Sequence, residues 1–421
     1  MHRIKKSPRP HSLLIGLGWV LASTAVSAQI PTGPWTLKTL FDQSWQRQPE
    51  AQAGALRREA AQAMRKGADA WIAEPAVLGL QTKTDRPGSS QGSREYEVGL
   101  ALPLWLPGER VSKAALGDAE LQAVENRRLA AQLELAANVR QFWWACQRAQ
   151  SDLDLAHERL RNAQSLATDV MRRFKAGDMA RADQFQAEAT VAQAEASVAE
   201  ALGAYDAAQA ALAGWVGVQG PSCGAGDPTG QEPAVAVARG TALLNQHPAI
   251  AHWRAQAEVA RRAARLAATQ SRANPEITVA ATRSRDQTGE RYRQSFTVGL
   301  RVPLGGGDRA QAKEVAARAE ALEAEIRAQV EHDRISADID AATARAKAAA
   351  SQRDAMARHA ALAREIWVFV DKAFRLGQAD WPTRLRVELD TAQAERQFAR
   401  ARIDAAAAVS ALRQALGLLP E

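Results

Sequence analysis

Cysteine is nearly absent from this chain. Cys146 and Cys223 are the only two in 421 residues. Two cysteines cannot build the cross-linked framework of a small secreted domain. Cys146 falls deep in a predicted helix and Cys223 in a Gly- and Pro-rich stretch, and the sequence does not decide whether they pair. Aromatic residues are also scarce, at 5%, although 46% of the chain is hydrophobic. Alanine supplies much of the difference. That composition excludes one thick aromatic core and favours closely packed helices. Beyond the first 28 residues, no apolar run is long enough for a membrane-spanning helix. An exported chain of this kind is soluble or crosses a membrane as β-barrel strands.

Catalytic and metal-binding patterns are missing as well. The seven histidines are scattered, and His247 and His252 are five apart, about 140° around a helix, so they do not converge on a metal. The Gly-rich stretch Pro303–Ala310 lacks the Gly-Lys-Ser/Thr of a phosphate loop and reads as a strand-to-helix turn. Trp143-Trp144 reads as an anchor against a neighbouring helix. No catalytic, cofactor-binding or metal residue is assigned. No ladder of Met, Cys or His marks a metal conduit.

Basic excess is mild. The net charge is +7, but Arg3, Lys5, Lys6 and Arg9 lie in the leader, and removing them leaves 7 − 4 = +3. That gives no case for nucleic acid. The leader has a basic start, an apolar stretch from Leu13 to about Leu21, and Val26-Ser27-Ala28 before a cut. The expectation is a signal peptide over 1–28. No Cys stands at the cut, which argues against a lipoprotein anchor.

What the chain does contain is a repeat. Val98-Gly99-Leu100 returns as Val298-Gly299-Leu300, and Pro103-Leu104 as Pro303-Leu304. At the same offset of 200, Ala192-Gln193-Ala194-Glu195 returns at Ala392-Gln393-Ala394-Glu395. A constant offset along the chain implies duplication. Each half reads as a helix (about 37–72 and 238–273), two strands, a very long helix (about 109–173 and 308–374), a tight turn and a returning helix (about 180–216 and 380–416). The expected organisation is a first repeat over 29–216 with strands at about 76–84 and 95–104. A Gly/Pro-rich linker spans 217–236. A second repeat covers 237–421, with strands at about 276–284 and 295–304. A helix of roughly 65 residues is about 97 Å long, too long for an ordinary globular domain. Small residues on two flanks suit a stave packed between two neighbours in a hollow cylinder.

The strands carry the membrane signal. Tyr96, Val98, Leu100, Leu102 and Leu104 fall on one face of the second strand, against Glu97, Gly99 and Ala101. Phe296, Val298, Leu300, Val302 and Leu304 do the same in the fourth, against Thr297, Gly299 and Arg301. An apolar face against a small or charged one is the transmembrane barrel pattern. The preceding strands alternate less cleanly. Val77 with Gly79 and Leu78 with Leu80 are both possible outer faces. Four strands cannot close a barrel, and open edges are not tolerated in lipid. The chain must therefore associate, with eight strands from two copies or twelve from three.

These features together resemble the TolC-like outer-membrane efflux proteins. The matching features are the duplicated unit, the helix starts at Gln48-Pro49 and His247-Pro248, and the strand pairs after Pro75 and Pro275. The most specific is an aromatic, two residues, Gly and a large apolar residue eight positions on. Here these are Phe174, Gly177 and Phe185, then Phe374, Gly377 and Leu385. The chain departs from the family where an acidic residue six positions after the turn Gly is Asp183 in the first half but Thr383 in the second.

The resemblance implies a mainly α fold with a membrane β-barrel. A homotrimer would share a twelve-stranded barrel in the outer membrane of a Gram-negative bacterium, with a helical tunnel in the periplasm. It implies a passive export duct, not an enzyme, working with a periplasmic membrane-fusion adaptor and an inner-membrane pump. Tyr96, Val98, Leu100, Leu102, Phe296, Val298, Leu300 and Val302 would face outer-membrane lipid. Gly177, Asp178, Gly377 and Gln378 would form the periplasmic tips that meet the adaptor. Asp371 and Asp169, just before the turns, are candidate gate carboxylates if they face the lumen, where three copies would form a charged ring. The alternative for both is an ordinary ion pair with a nearby Arg or Lys. The rival function is a periplasmic coiled-coil adaptor or structural protein without a membrane-spanning part.

Overall fold

The computed structural model describes residues 35–421 apart from 87, 89–90, 218–231, 236–240 and 305–306. The expected signal peptide, Cys223 and most of the expected linker lie outside the described residues. In chain order the elements are α1 (Leu37–Gln46), α2 (Pro49–Gly67), β1 (Val77–Thr84), β2 (Arg94–Pro103), α3 (Glu109–Ala176) and α4 (Arg181–Val216). Then come α5 (Thr241–Gln246), α6 (Pro248–Thr269), β3 (Glu276–Arg285), β4 (Arg293–Arg301), α7 (Gly307–Arg375) and α8 (Trp381–Ala415).

Proline divides the opening helix of each repeat, which corrects the single helices expected over 37–72 and 238–273. Pro49 and Pro248 each start a helix, and the residues before them, Gln48 and His247, are extended at ψ 138° and 124°. A proline ring disfavours helical geometry in the preceding residue and cannot donate to the previous turn. The shape of the protomer comes from α3 and α7, 68 and 69 residues long, each about 100 Å at 1.5 Å per residue. Near the sheet, α3 packs on α2 and α6, and α6 on α7. Towards the far ends, α3 pairs with α4, α7 with α8, and α3 meets α8. Among the described residues no helix is long and apolar enough to cross a membrane.

The main core lies midway along α3. Leu37, Leu40 and Phe41 of α1 pack there on Leu135, Ala136, Val139 and Trp143 of α3, with Leu212 and Val216 of α4 and Ile403 of α8. Trp143 and Trp144 are both buried in this cluster. Cys146 is also buried there and is disulfide-bonded. Beside this core, Glu232 is buried between the guanidiniums of Arg140 on α3 and Arg413 on α8. Its carboxylate fastens the segment between the repeats to both.

A second polar knot joins the sheet to the helices. Glu109, at the start of α3, is buried and accepts from the Leu106 backbone N–H at 3.0 Å. It also accepts from the side-chain amides of Gln270 and Asn274, each at 2.7 Å. Residues of the second repeat thus satisfy a buried carboxylate of the first. Nearby, Arg110 donates to the carbonyls of Ala68 and Asp69. Both chain entries to the sheet are held against the helix that leaves it.

Candidate functional site

The four strands form one antiparallel sheet in the order β1-β2-β3-β4. Its register aligns the faces of all four. Leu78 pairs with Leu100, Leu100 with Val279, and Val279 with Val298. One row on, Leu80, Val98, Ala281 and Phe296 are aligned, and Leu102, Ile277 and Leu300 form the row on the other side. Directly opposed residues in an antiparallel pair point to the same face. Leu78 and Leu80, not Val77 and Gly79, therefore share the apolar face. That choice was invisible in β1 alone. The face stays open to its surroundings: Phe296 is 82% exposed, and Tyr96, Val98, Leu100, Val298 and Leu300 are exposed with it. One correction concerns Val302, which lies one residue beyond the end of β4. Leu102 is within β2.

The opposite face carries Gln81, Lys83, Glu95, Glu97, Thr278, Thr282 and Arg301, with Gly79, Gly99 and Gly299 between them. Thr282 donates to Glu97 at 3.3 Å, and Arg301 pairs with Glu276 at 3.5 Å. One side of this sheet is oil-like and the other wettable. Within the chain, β1 and β4 are its edges.

The far ends of the helices form two hairpin tips. Gly177 has φ +87° and Gly377 φ +74°, the left-handed region that a β-carbon penalises. In the first turn, the Asp178 N–H donates to the Arg173 carbonyl at 2.9 Å and the Gly177 N–H to Phe174 at 3.0 Å. In the second, Gln378 donates to Ala373 at 2.8 Å and Gly377 to Phe374 at 3.1 Å. These are matching Schellman turns, and they close both long helices the same way. Gly177, Asp178, Gly377 and Gln378 are all exposed.

The departure at Thr383 also has a physical account. In the first tip, Asp183 at the third helical position accepts from the Ala180 backbone N–H at 3.1 Å. In the second, Asp380 sits before the helix and accepts from the Thr383 N–H at 3.1 Å. The two turns use opposite halves of the same capping arrangement. Thr383 hydrogen bonding holds the Asp380 carboxyl below the usual carboxylate range.

Asp371 is not a free carboxylate. It is buried at the second tip and pairs with Arg384 of α8 at 2.9 Å and Arg375 at 2.8 Å. The same Arg384 reaches Glu388 at 3.4 Å and lies over the rings of Phe374 and Trp381, 5.2 and 6.0 Å from their centroids. Burial, above all, pushes the Glu388 carboxyl up, and the nearby Asp371 charge adds to this against Arg384. From the other tip, Arg173 lies over Phe374 at 4.4 Å. Leu166, Val170 and Ala187 of the first hairpin pack on Trp381 and Leu385 of the second. Asp169 is exposed and, among the described residues, pairs with its own-helix neighbour Arg172 at 3.3 Å. The two gate candidates thus differ in setting: Asp371 is buried and paired with two guanidiniums, while Asp169 is exposed and lines a cleft with those same two, Arg375 and Arg384.

Arg384 was missed in the sequence, though a signal existed. A helical hairpin lays residues equidistant from its turn beside each other. Asp371 lies six before Gly377 and Arg384 seven after. The equivalents in the first repeat are Met171 and Gln184, so repeat matching could not point to the pair. Among the described residues no group of three or more His, Cys, Asp or Glu converges as a metal site.

An amphipathic four-stranded sheet and two long helical hairpins, in a duplicated chain, make up the fold. Residues 40–218 match the family model "Outer membrane efflux protein". The match spans the first repeat, and the second repeat has the same element order. No curated protein matches the chain significantly. Among solved structures, the chain is similar to the outer membrane protein VceC of Vibrio cholerae, with 19% identity and a TM-score of 0.71 over 91% of this chain and 97% of that one. It is similar to CusC, with 18% identity and a TM-score of 0.75 over 93% and 96%. It is also similar to the Neisseria gonorrhoeae MtrE outer membrane channel in its open state, with 19% identity and a TM-score of 0.71 over 91% and 89%. At these identities the likeness establishes the fold.

Proposed function

We propose that three copies of this chain form a passive outer-membrane efflux duct, and that it works with a periplasmic adaptor and an inner-membrane pump. The observation that carries this is the sheet. Its apolar face runs unbroken across four strands, its other face is polar, and among the described residues the outer edges of β1 and β4 are unpaired. In lipid such edges must be closed by further strands. Three copies give twelve strands around a wettable lumen, the number the resemblance implies. A coiled-coil adaptor has no use for such a sheet.

The helices support the same assembly. Val315, Leu322, Ile326 and Val330 are exposed along α7 at intervals of seven, four and four, and Leu56 and Met64 are exposed on α2. A stripe at that spacing suits a neighbouring helix. The exposed Gly turns suit contact with an adaptor at the tips. The reading is of a duct, and we assign no enzymatic role.

Mass measurement on detergent-solubilised protein, together with carbonate extraction of membranes, tests the reading. Three chains per particle and retention in the membrane pellet are expected. A stable monomer, or release by carbonate, would sink it.

A further inference from the structure

We propose that the loop end of the sheet carries a binding site for the phosphate groups of an outer-leaflet lipid headgroup. The inference rests on the membrane reading above. The apolar face is uniform for three rows and then changes abruptly. The next row is Thr82, Tyr96, Arg283 and Gln294, and beyond it come Thr84, Arg94 and Arg285. Three guanidiniums therefore occupy the lipid-facing side. Arg94 and Arg285 stand directly opposite each other in the register. Like charges so placed repel and weaken a strand pair.

Among the described residues no carboxylate pairs with them. Glu95 and Glu97 alternate onto the other face. In the adjoining loops, Asp286 is paired with Arg293, and Asp85 accepts from the Gly92 N–H. Among the described residues, Arg94, Arg283 and Arg285 have no carboxylate within ion-pair distance. The Nε of Arg285 is buried and has no acceptor. Tyr292 orients the group: its ring lies 4.6 Å from the Arg283 guanidinium and 5.2 Å from that of Arg285, and 6.3 Å from Tyr96.

Depth selects the occupant. Tyrosines gather where a bilayer meets water. From Pro103 to Arg94, β2 has 10 residues, about 33 Å when extended and about 25 Å of height when tilted as in barrels. That matches the apolar band of an outer-membrane barrel, about 25 Å tall. Arg94 therefore lies at headgroup level, on the side away from the helices. Arginine forks match phosphate oxygens with two parallel hydrogen bonds. An anionic lipid phosphate relieves the repulsion, supplies the missing acceptor and is present at that depth.

The test uses the full-length protein reconstituted in phosphatidylcholine vesicles. The vesicles hold no added lipid, bisphosphorylated lipid A, or monophosphorylated lipid A. The readouts are the thermal melting midpoint and the lipid retained in native mass spectra. Expected are a rise of several degrees with the bisphosphorylated lipid, a smaller rise with the monophosphorylated one, and retained lipid. The triple variant Arg94→Gln, Arg283→Gln, Arg285→Gln should lose both effects. Glu95→Gln with Glu97→Gln, on the opposite face, should keep them. Should the triple variant fail to fold, Arg283→Gln alone should roughly halve the shift, and the phosphate dependence of the unaltered protein stands as its own test. Equal shifts for both lipids, or for variant and parent, would overturn the proposal. An equal shift with inorganic phosphate alone would make this a free-anion site, not a lipid one. Failure to insert into any vesicle would count against the channel reading instead.

Discussion

Replacing Arg384 with Met should loosen the second tip without moving the rest of the protomer. The side chains of Arg384 and Asp371 are 11% and 9% exposed, so the pair is largely shielded from water. Removing one partner of a buried pair costs about 3–5 kcal/mol. Here the lower end applies, because Arg375 still holds the other Asp371 oxygen from the surface. A loss of about 3 kcal/mol raises local opening on the order of a hundredfold. Hydrogen exchange over residues 366–390 reads that opening directly, even where global unfolding is irreversible. A double-mutant cycle with Asp371→Asn should give a coupling of about 1–3 kcal/mol. The pH dependence has a definite sign. Burial raises the folded pKa of Glu388 above its ordinary 4.5. Ionised Glu388 therefore costs stability above its folded pKa, and the cost disappears as pH falls through that value to below 4.5. In Arg384→Met the compensating cation is gone, so protection should recover on acidification more than in the parent. Coupling below about 0.5 kcal/mol would refute the reasoning, since it would make Asp371 and Arg384 independent.

Much of this fold is legible in the sequence because its elements are long and periodic. The second strand of each repeat alternates with period two, and each long helix runs for dozens of residues without Pro. What stayed hidden depends on partners. Val77 with Gly79 and Leu78 with Leu80 are equivalent choices in an isolated strand, and only pairing with β2 separates them. The breaks before Pro49 and Pro248 were marked by the prolines and by the family's helix starts, although the helical period runs across both. Val302 continues the alternation of β4 but falls outside the ladder, because pairing with β3 stops at Arg301. The candidate gate fared differently. Asp371 was visible as a carboxylate near a turn, but its partner lies across the turn, 13 residues on, in a register that only the folded hairpin sets. The arginine cluster at the strand ends was equally invisible. Arg94 and Arg285 are 191 residues apart and meet only through the junction of the two repeats.

Three further perturbations test other parts of the molecule. His247 caps α6 by accepting from the Ala249 N–H, and burial lowers its pKa below 6.5. That stability is fully present above pH 6.5 and is lost as pH falls through the folded value; His247→Asn should keep the cap and flatten the acid slope of the melting midpoint, and an unchanged slope would count against it. Gly177→Val with Gly377→Val should strain each turn by about 1–2 kcal/mol without a clash, since both glycines face open space. Export should fall while trimers still reach the membrane, and normal export would speak against a functional tip. The seam between copies gives the last test. Ile326 and Leu322 are exposed on α7 at one-turn spacing. If a neighbouring chain covers them, each contributes about 1.5–3 kcal/mol of burial per seam, repeated at every seam of the assembly. Aspartate at both positions replaces that gain with buried, unpaired charge, which is strongly unfavourable. Leu322→Asp with Ile326→Asp should therefore yield monomers by mass in detergent, while Ile326→Leu keeps the trimer. A trimer that survives both aspartates would mean that this stripe faces water, and the contact between copies would have to lie on another face of α7.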